Sequence, residues 1–367
     1  MNGPFAPEHE EFRSTVRALI ERELRPYAER WERARRLPRR ALRDCGRRGW
    51  FRLDPWRQAV LAEELPRCDS LGFALSVFVQ GNLIAPLIEQ LGTAGQKDAW
   101  LEGVRNGRTI GALAVTEPDC GSDFAALQTR GRRVGSQLVL DGIKTYVTNA
   151  AAASLLLVAV RTDGEGLAGL SLVAVPADAR GVRIETLDGL GLATSAMGRV
   201  TLTGCRVAAA NVLGRQGSGF AYIMQALDRE RLLGGIAAVA WAGYALERTI
   251  DWTKDRRAFG RPLSKLQVVR HQLADAAIDL EAARAFNYAA FTRWVAGDDV
   301  SREIAMIKVF SYQRAQQTID RCLQLHGGAG YMADHWTSRF YRDARALTIA
   351  AGTPEVMKEI VAAHLRL

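Results

Sequence analysis

Several stretches of this chain carry residues whose types and spacing can do chemistry. In AVTEPDCGSD (Ala114 to Asp123), Pro118 and Gly121 punctuate a compact turn, and Thr116 and Ser122 offer hydroxyls. Backbone amides and hydroxyls in such a turn can hydrogen-bond a planar heteroaromatic ring. The plainer reading is an ordinary turn with Glu117 in a salt bridge, and on chemistry alone it weighs more. DRRAFGRPL (Asp255 to Leu263) and QLHGGAGY (Gln324 to Tyr331) offer something else. Arg256 supplies a fixed charge suited to a pyrophosphate, while Gly327 and Gly328 let another backbone or ligand approach closely. Each glycine taken singly also fits a helix cap or turn. GRQGSGF (Gly214 to Phe220) has neither GxGxxG nor GxxxxGK[ST] spacing, so it reads as a glycine-rich entry to a helix. His326 lies inside the glycine-rich turn, and His271 and His335 have no evident partners, so structural roles are expected for all three.

Those residues need elements to hold them. From residue 1 to about 112 the chain reads as helical: Phe12, Val16, Leu19, Ile20 and Leu24 recur at three- and four-residue spacing, and Pro26, Pro38 and Pro66 punctuate the segment. Between 113 and 212 come short apolar runs bounded by turn residues: QLVLDG, SLLLVAV, LSLVAVPA, RIETL and RVTLTG. KTYVTNA (Lys144 to Ala150) reads as a further strand. From 213 to 367 the helical period returns. Ser264 and Gln267 have capping-box spacing, and Leu266, Leu273 and Leu280 recur with Ala276, Ala277 and Ala283 between them, as in a bundle helix. The expected fold is α+β: an N-terminal helical domain, a middle β-barrel or sandwich, and a C-terminal four-helix bundle.

Taken together, these motifs resemble the acyl-CoA dehydrogenase family along nearly the whole chain. Thr116, Glu117, Pro118, Gly121, Ser122 and Asp123 match its Thr-Glu-Pro-x-x-Gly-Ser-Asp element, and GTAGQKDAWLEGVRNG (Gly92 to Gly107) is similar to the lead-in to it. The resemblance implies bound FAD, with Val115 and Thr116 facing the flavin and Ser122 nearer the acyl carrier. Tyr146, where the family usually has Trp, is then the aromatic stacked behind the flavin, and Thr148 bonds its N5 edge. Tyr keeps a stacking face and adds a hydroxyl that needs a partner. Arg256, Phe259, Gln324, Gly327 and Gly328 match elements that hold the diphosphate and adenine, drawn from different subunits. Thr353 is likewise placed at the cofactor.

One letter departs from the family pattern. YRDARALTIAAGTPE (Tyr341 to Glu355) is similar to a stretch in which Glu precedes Gly-Thr and removes the substrate's α-proton, but here that position is Ala351. A branch of the family carries its base on the helix opening the C-terminal domain, at a Glu-Arg pair. LDRERLLGG supplies Glu230 with Arg231. A buried Glu tuned upward suits a general base. The competing readings are a surface Glu among Asp228, Arg229 and Arg231, or a base at Glu355 one turn beyond Ala351. Arg231 and Ala351 are expected beside the substrate.

The implied function is FAD-dependent oxidation of an acyl thioester on CoA or on an acyl carrier protein. The relocated base and basic surface are similar to biosynthetic members that act on carrier-bound units for methoxymalonyl polyketide extenders. An oxidase or monooxygenase on the same scaffold, or a flavin-binding partner without turnover, are the other readings. A homodimer or homotetramer and an electron-transferring flavoprotein are the expected partners.

Composition fits this frame. Of 367 residues 48% are hydrophobic and 24% charged, ordinary for a globular chain. The net charge of +9 is read as solvated arginine-rich helix faces, or attraction to an anionic CoA nucleotide or carrier protein. No zinc-finger or RNA-binding pattern occurs, so nucleic acid is not expected. Five widely spaced cysteines without CxxC give little support to a disulfide framework or metal site and fit a cytoplasmic location. MNGPFAPEHEEF lacks a secretory pattern, and no membrane span is expected.

Overall fold

A computed structural model describes residues 5–367; the first four residues of the stretch read for a leader lie outside it. The opening helix Pro7–Leu19 runs on through a wider turn, Ile20–Leu24, and buries Val16, Ile20 and Leu24 as one face. Pro26 and Pro66 sit in tight helical turns and Pro38 at the N-cap of Arg39–Arg47, where a missing N–H costs nothing. One continuous helical stretch, Leu71–Leu91, is long and apolar enough to cross a membrane by length and composition, but 89% of its apolar window is buried inside the fold.

Eight strands follow: β1 (Gly111–Ala114), β2 (Arg130–Val134), β3 (Gln137–Val147), β4 (Leu155–Arg161), β5 (Leu170–Pro176), β6 (Val182–Thr186), β7 (Gly198–Ala208) and β8 (Val212–Leu213). They form one mixed sheet in the order β6-β7-β3-β2-β4-β5-β8, with β1 parallel to β4. Strand β4 shows why its apolar run is unbroken. Leu155, Leu157 and Ala159 face the N-terminal helices, while Leu156, Val158 and Val160 face the core shared with β3 and β7. The sequence pattern found β3 to β7; it missed β1, β8 and the arginine-rich β2, which lack a readable apolar run.

The C-terminal part is helical, as expected. Three long helices, Gly219–Asp255, Gln267–Val295 and Ser301–Tyr331, pack with two shorter ones, Trp336–Leu347 and Pro354–His364, and Ser301–Tyr331 touches each of the others. The expected capping box is absent. Ser264 lies in a separate tight turn, and the second long helix starts after Leu266 without a side-chain cap. Ala276, Leu280 and Ala283 are buried on its inner face, whereas Ala277 points outward. The Gly219–Asp255 helix ties the parts together. Ile223 packs against the sheet, while Leu232, Leu233 and Ile236 share a core with Ala59, Ala62 and Phe78 of the N-terminal helices.

Candidate functional site

The two motifs read from the sheet region are held together by one buried ion pair. The Lys144 ammonium donates to Glu117 Oε1 at 2.8 Å and to the Val115 carbonyl at 2.9 Å, and the Thr145 N–H donates to the Thr116 carbonyl at 2.8 Å. The Glu117 carboxylate also accepts from the backbone N–H groups of Gln128 (2.7 Å) and Thr129 (2.8 Å). Glu117 is 5% exposed and Lys144 not at all. Burial pushes the Glu117 carboxyl up, but Lys144 and the two backbone donors outweigh it and hold the group below the ordinary carboxylate range. Burial brings Lys144 down to about 8 against the pull of Glu117. The salt bridge weighed for Glu117 therefore exists, and it serves the site by fixing both motifs at once.

Strand β3 does not run through the whole of KTYVTNA. It ends at Val147, and its register against β7 shifts between Lys144 and Val147. Within that bulge Tyr146 takes a left-handed conformation (φ 57°), which turns its ring outward to 68% exposure. Thr148 stands in the following turn, half-buried, not in a strand. The turn is fixed by buried Asn149 (φ 69°), whose amide donates to the Gly111 carbonyl at 3.2 Å and whose N–H reaches the Ser195 carbonyl at 2.9 Å. An upturned aromatic face, two threonine hydroxyls and the half-buried Val115 and Thr116 thus meet at one rim of the sheet. Ser122 is exposed in the loop beyond.

The helix turn that bears Glu230 is tied to Ala351, far away in sequence, through the next residue, Arg231. Buried Arg231 donates Nε–H to the Ala351 carbonyl at 2.8 Å and Nη1–H to Asp228 at 2.8 Å. Ala351 and Gly352 both have positive φ (57° and 109°). A Cβ on Gly352 would lie 2.8 Å from Met357 Cε and 3.3 Å from Arg231 Nη2, so this turn needs glycine there. Glu230 is half-buried and, among the described residues, makes no salt bridge. Burial raises its pKa, opposed by Lys308 and Arg231. Lys308 is itself buried, brought down to about 7 by that burial against the pull of Glu230, and it donates to the Leu347 carbonyl. Its ammonium lies 3.9 Å above the Tyr312 ring, and the Tyr312 hydroxyl donates to the Arg231 carbonyl at 3.0 Å.

The alternative base fares differently. Glu355 is exposed in the first turn of Pro354–His364, where backbone N–H donation and then Thr353 hold its carboxyl below the usual range. A group stabilised as a carboxylate in water is a poor proton acceptor at neutral pH. Thr353 is the N-cap of that helix.

Lys308 and Tyr312 escaped the sequence reading. The one signal was a lone lysine inside the apolar stretch IAMIKVF. If Lys308 tunes Glu230, Lys308→Met removes a neighbouring positive charge and moves the base's pKa upward. The pH profile of any Glu230-dependent step then shifts to higher pH, most visibly below about pH 7, where Lys308 is charged. Stopped-flow rates across pH check this.

The remaining candidates gather at the other end of the bundle. Arg256 caps Gly219–Asp255, and Phe259, 91% exposed, sits at the tip of the hairpin Arg257–Ala258/Arg261–Pro262. Gln324 is exposed, and Gly327 (φ 60°, ψ −143°) breaks the helical course of Ser301–Tyr331, with Gly328 exposed beside it. No atom lies within 4 Å of a Cβ built on either glycine, so the turn faces open space. Below it His326, 5% exposed, stacks on Trp252 at 4.8 Å and lies 3.3 Å from the Thr249 hydroxyl. Burial lowers its pKa to about 4, so it is a neutral structural ring that locks the Arg256 helix end to the glycine turn. Along the helix, Arg256 stands roughly 40 Å from Glu230.

That shift has a sign. The unfolded state takes up the His326 proton near pH 6.5 and the folded state only near 4, so stability falls as pH drops between those values. His335 is shifted the same way. Thermal melting of His326→Phe should show a shallower loss below pH 6.5 than wild type.

The Arg-Asp-Ala stretch also turns out to be a junction. Buried Asp343 accepts the Leu192 N–H at 2.6 Å, while Glu32 accepts from Ser70 (2.6 Å) and Thr194 (3.2 Å). Burial and then the neighbouring Glu32 raise Asp343 to about 7. All three parts of the chain meet there.

This three-part fold with its two sheet-edge motifs and helix-borne carboxylate defines a class. Family profiles match residues 6–108 (acyl-CoA dehydrogenase, N-terminal domain), 112–205 (middle domain) and 217–366 (C-terminal domain), so the chain belongs to the acyl-CoA dehydrogenase family. It is 33% identical to the mitochondrial short-chain specific acyl-CoA dehydrogenase of Mus musculus, over 97% of this chain and 90% of that one. Among solved structures it is similar to an acyl-CoA dehydrogenase from Geobacillus kaustophilus (TM-score 0.95, 32% identity, all of both chains). It is also similar to a glutaryl-CoA dehydrogenase from Mycobacterium smegmatis in complex with FADH2 (TM-score 0.92, 26% identity, 98% of this chain and 95% of that one).

Proposed function

We propose that this chain is an FAD-dependent oxidoreductase acting on the CH–CH bond beside an acyl-CoA thioester carbonyl, with Glu230 as the base. The observation that carries the reading is the latch between Arg231 and the Ala351 carbonyl. It ties the helix turn that bears Glu230 to the segment whose own carboxylate is missing. The residues fit the cofactor: Tyr146 presents a stacking face, Thr116 and Thr148 stand at its rim, and the Thr145 hydroxyl is buried without a partner. Bound FAD supplies the acceptor for the β-hydride. Glu230 takes the α-proton at its carboxylate, a task favoured by a pKa raised through burial. Arg231 and Tyr312 hold its helix in place, and Val115, Thr116, Tyr146 and Thr148 orient the ring. Thr353, committed to its helix cap, contributes there through the turn it anchors.

Arg256, Phe259, Gln324, Gly327 and Gly328 hold the diphosphate and adenine end. Because Arg256 stands roughly 40 Å along the helix from Glu230, one cofactor takes these contacts from a second copy, which supports a homodimer or a tetramer of dimers. Ser122 and Arg231 lie on the substrate side, and an electron-transferring flavoprotein is the acceptor partner. The five free, buried cysteines fit the cytoplasm.

The finer reading, an acyl-carrier-protein substrate for a methoxymalonyl-type polyketide extender, draws support from Ala351 and the relocated carboxylate. Anaerobic bleaching of the flavin by a panel of acyl-CoA and acyl-carrier-protein thioesters tests both levels. Reduction by some thioester supports the enzyme and names its carrier. Bound FAD that none of them bleaches overturns the reading in favour of an oxidase or a flavin-binding partner.

A further inference from the structure

The net charge sits on exposed arginines, as the sequence suggested, but it is concentrated in one segment and not scattered along the chain. Residues 22–52 hold twelve arginines against four acidic residues, +8 of the chain's +9. The fold wraps this segment around a cleft of about 700 Å³ lined by residues 19 to 50. Five arginines line it against two acids, and those acids are already engaged: Glu23 with Arg22 and Arg48, Asp44 with Arg47. Arg30, Arg36 and Arg40 make no salt bridge or side-chain hydrogen bond among the described residues. Under these free guanidinium groups lies an apolar floor of Leu37, Trp50 and half-buried Trp31.

We propose that this cleft binds a small phosphate-bearing molecule with an apolar or aromatic body, at a site sharing no residue with the one around Glu230. Guanidinium forks pair with phosphoryl oxygens two at a time and are always charged, which suits phosphate better than a single point charge would. The indoles are recessed between helices and do not protrude, so the apolar part of the ligand enters the cleft. The volume lies within the range of small-molecule sites. Three unpaired like charges held around one opening repel each other until an anion arrives, so binding also relieves the free protein.

Isothermal titration of the FAD-loaded protein with CoA, dihexanoyl phosphatidate and inorganic phosphate tests this. Wild type is compared with Arg30→Gln/Arg36→Gln/Arg40→Gln, whose side chains hold nothing in the fold; an unchanged melting temperature verifies this. The expected result is saturable binding of CoA or the phosphatidate that weakens ~tenfold or more in the triple variant. CoA also addresses the proposed catalytic site, so its loss reads as stoichiometry falling from two per chain to one; that keeps this proposal separable from the catalytic one. CoA binding in the cleft identifies a soluble nucleotide thioester as the source, and the phosphatidate alone a lipid phosphate. Binding that inorganic phosphate matches, binding that the triple variant retains, or no binding at all overturns the proposal.

Discussion

Glu230→Gln should retain its FAD and its melting temperature yet lose flavin reduction by the best thioester by roughly 100- to 10,000-fold, the worth of a positioned general base. The amide is isosteric and cannot take a proton. Glu230 forms no salt bridge among the described residues, so the change breaks no ion pair and relieves the cost of burying a carboxylate. Binding therefore stays while the rate falls. Glu355→Gln is the matched control: that side chain is exposed and already stabilised as a carboxylate, and its loss should leave the rate within about twofold. In the wild type the rate should rise with pH through an apparent pKa above that of an ordinary Glu, because protonated Glu230 is inactive and burial raises its pKa. Equal bleaching rates in wild type and Glu230→Gln would exclude that carboxylate as the base.

The largest stability effect is expected from Lys144→Met. It strands the Glu117 carboxylate in a site where Glu117 is 5% exposed, with two backbone N–H donors but no counter-charge. Removing one partner of a buried pair costs about 3–5 kcal/mol. The ammonium also holds the Val115 carbonyl, so the same change loosens the turn leading to Thr116 and should weaken FAD retention along with the melting temperature. Lys144→Met/Glu117→Gln should recover part of the loss, since neither a lone charge nor a large void remains. Calorimetric melting and flavin content on gel filtration measure both. A melting temperature unchanged in the single variant would mean the pair contributes nothing.

Much of the architecture was legible in the chain. The period of Val16, Ile20 and Leu24 gave a helix, and the runs in β3 to β7 gave strands, because burial of a repeating face writes itself into local spacing. The misses have equally local causes. Strand β2 is mostly arginine, and the Ser264 box has correct spacing but the chain turns before it can cap. The arginine-rich segment is helix surface, as it reads, but sequence does not show which of its side chains a fold turns toward one cleft.

By itself the sequence determined the class of protein, the presence of Glu230 and Arg231, and the absence of a carboxylate at 351. Residue identity is sufficient for those. Only the tertiary structure decided that Arg231 holds the Ala351 carbonyl, that Lys144 pairs with Glu117, and that a bulge turns Tyr146 outward. The same holds for Lys308, which raises no motif yet sets the field at Glu230. Each of these depends on distances between residues 27 to 120 positions apart or on backbone register. Burial and Coulomb energy follow those distances in space, which the order of residues along the chain does not record.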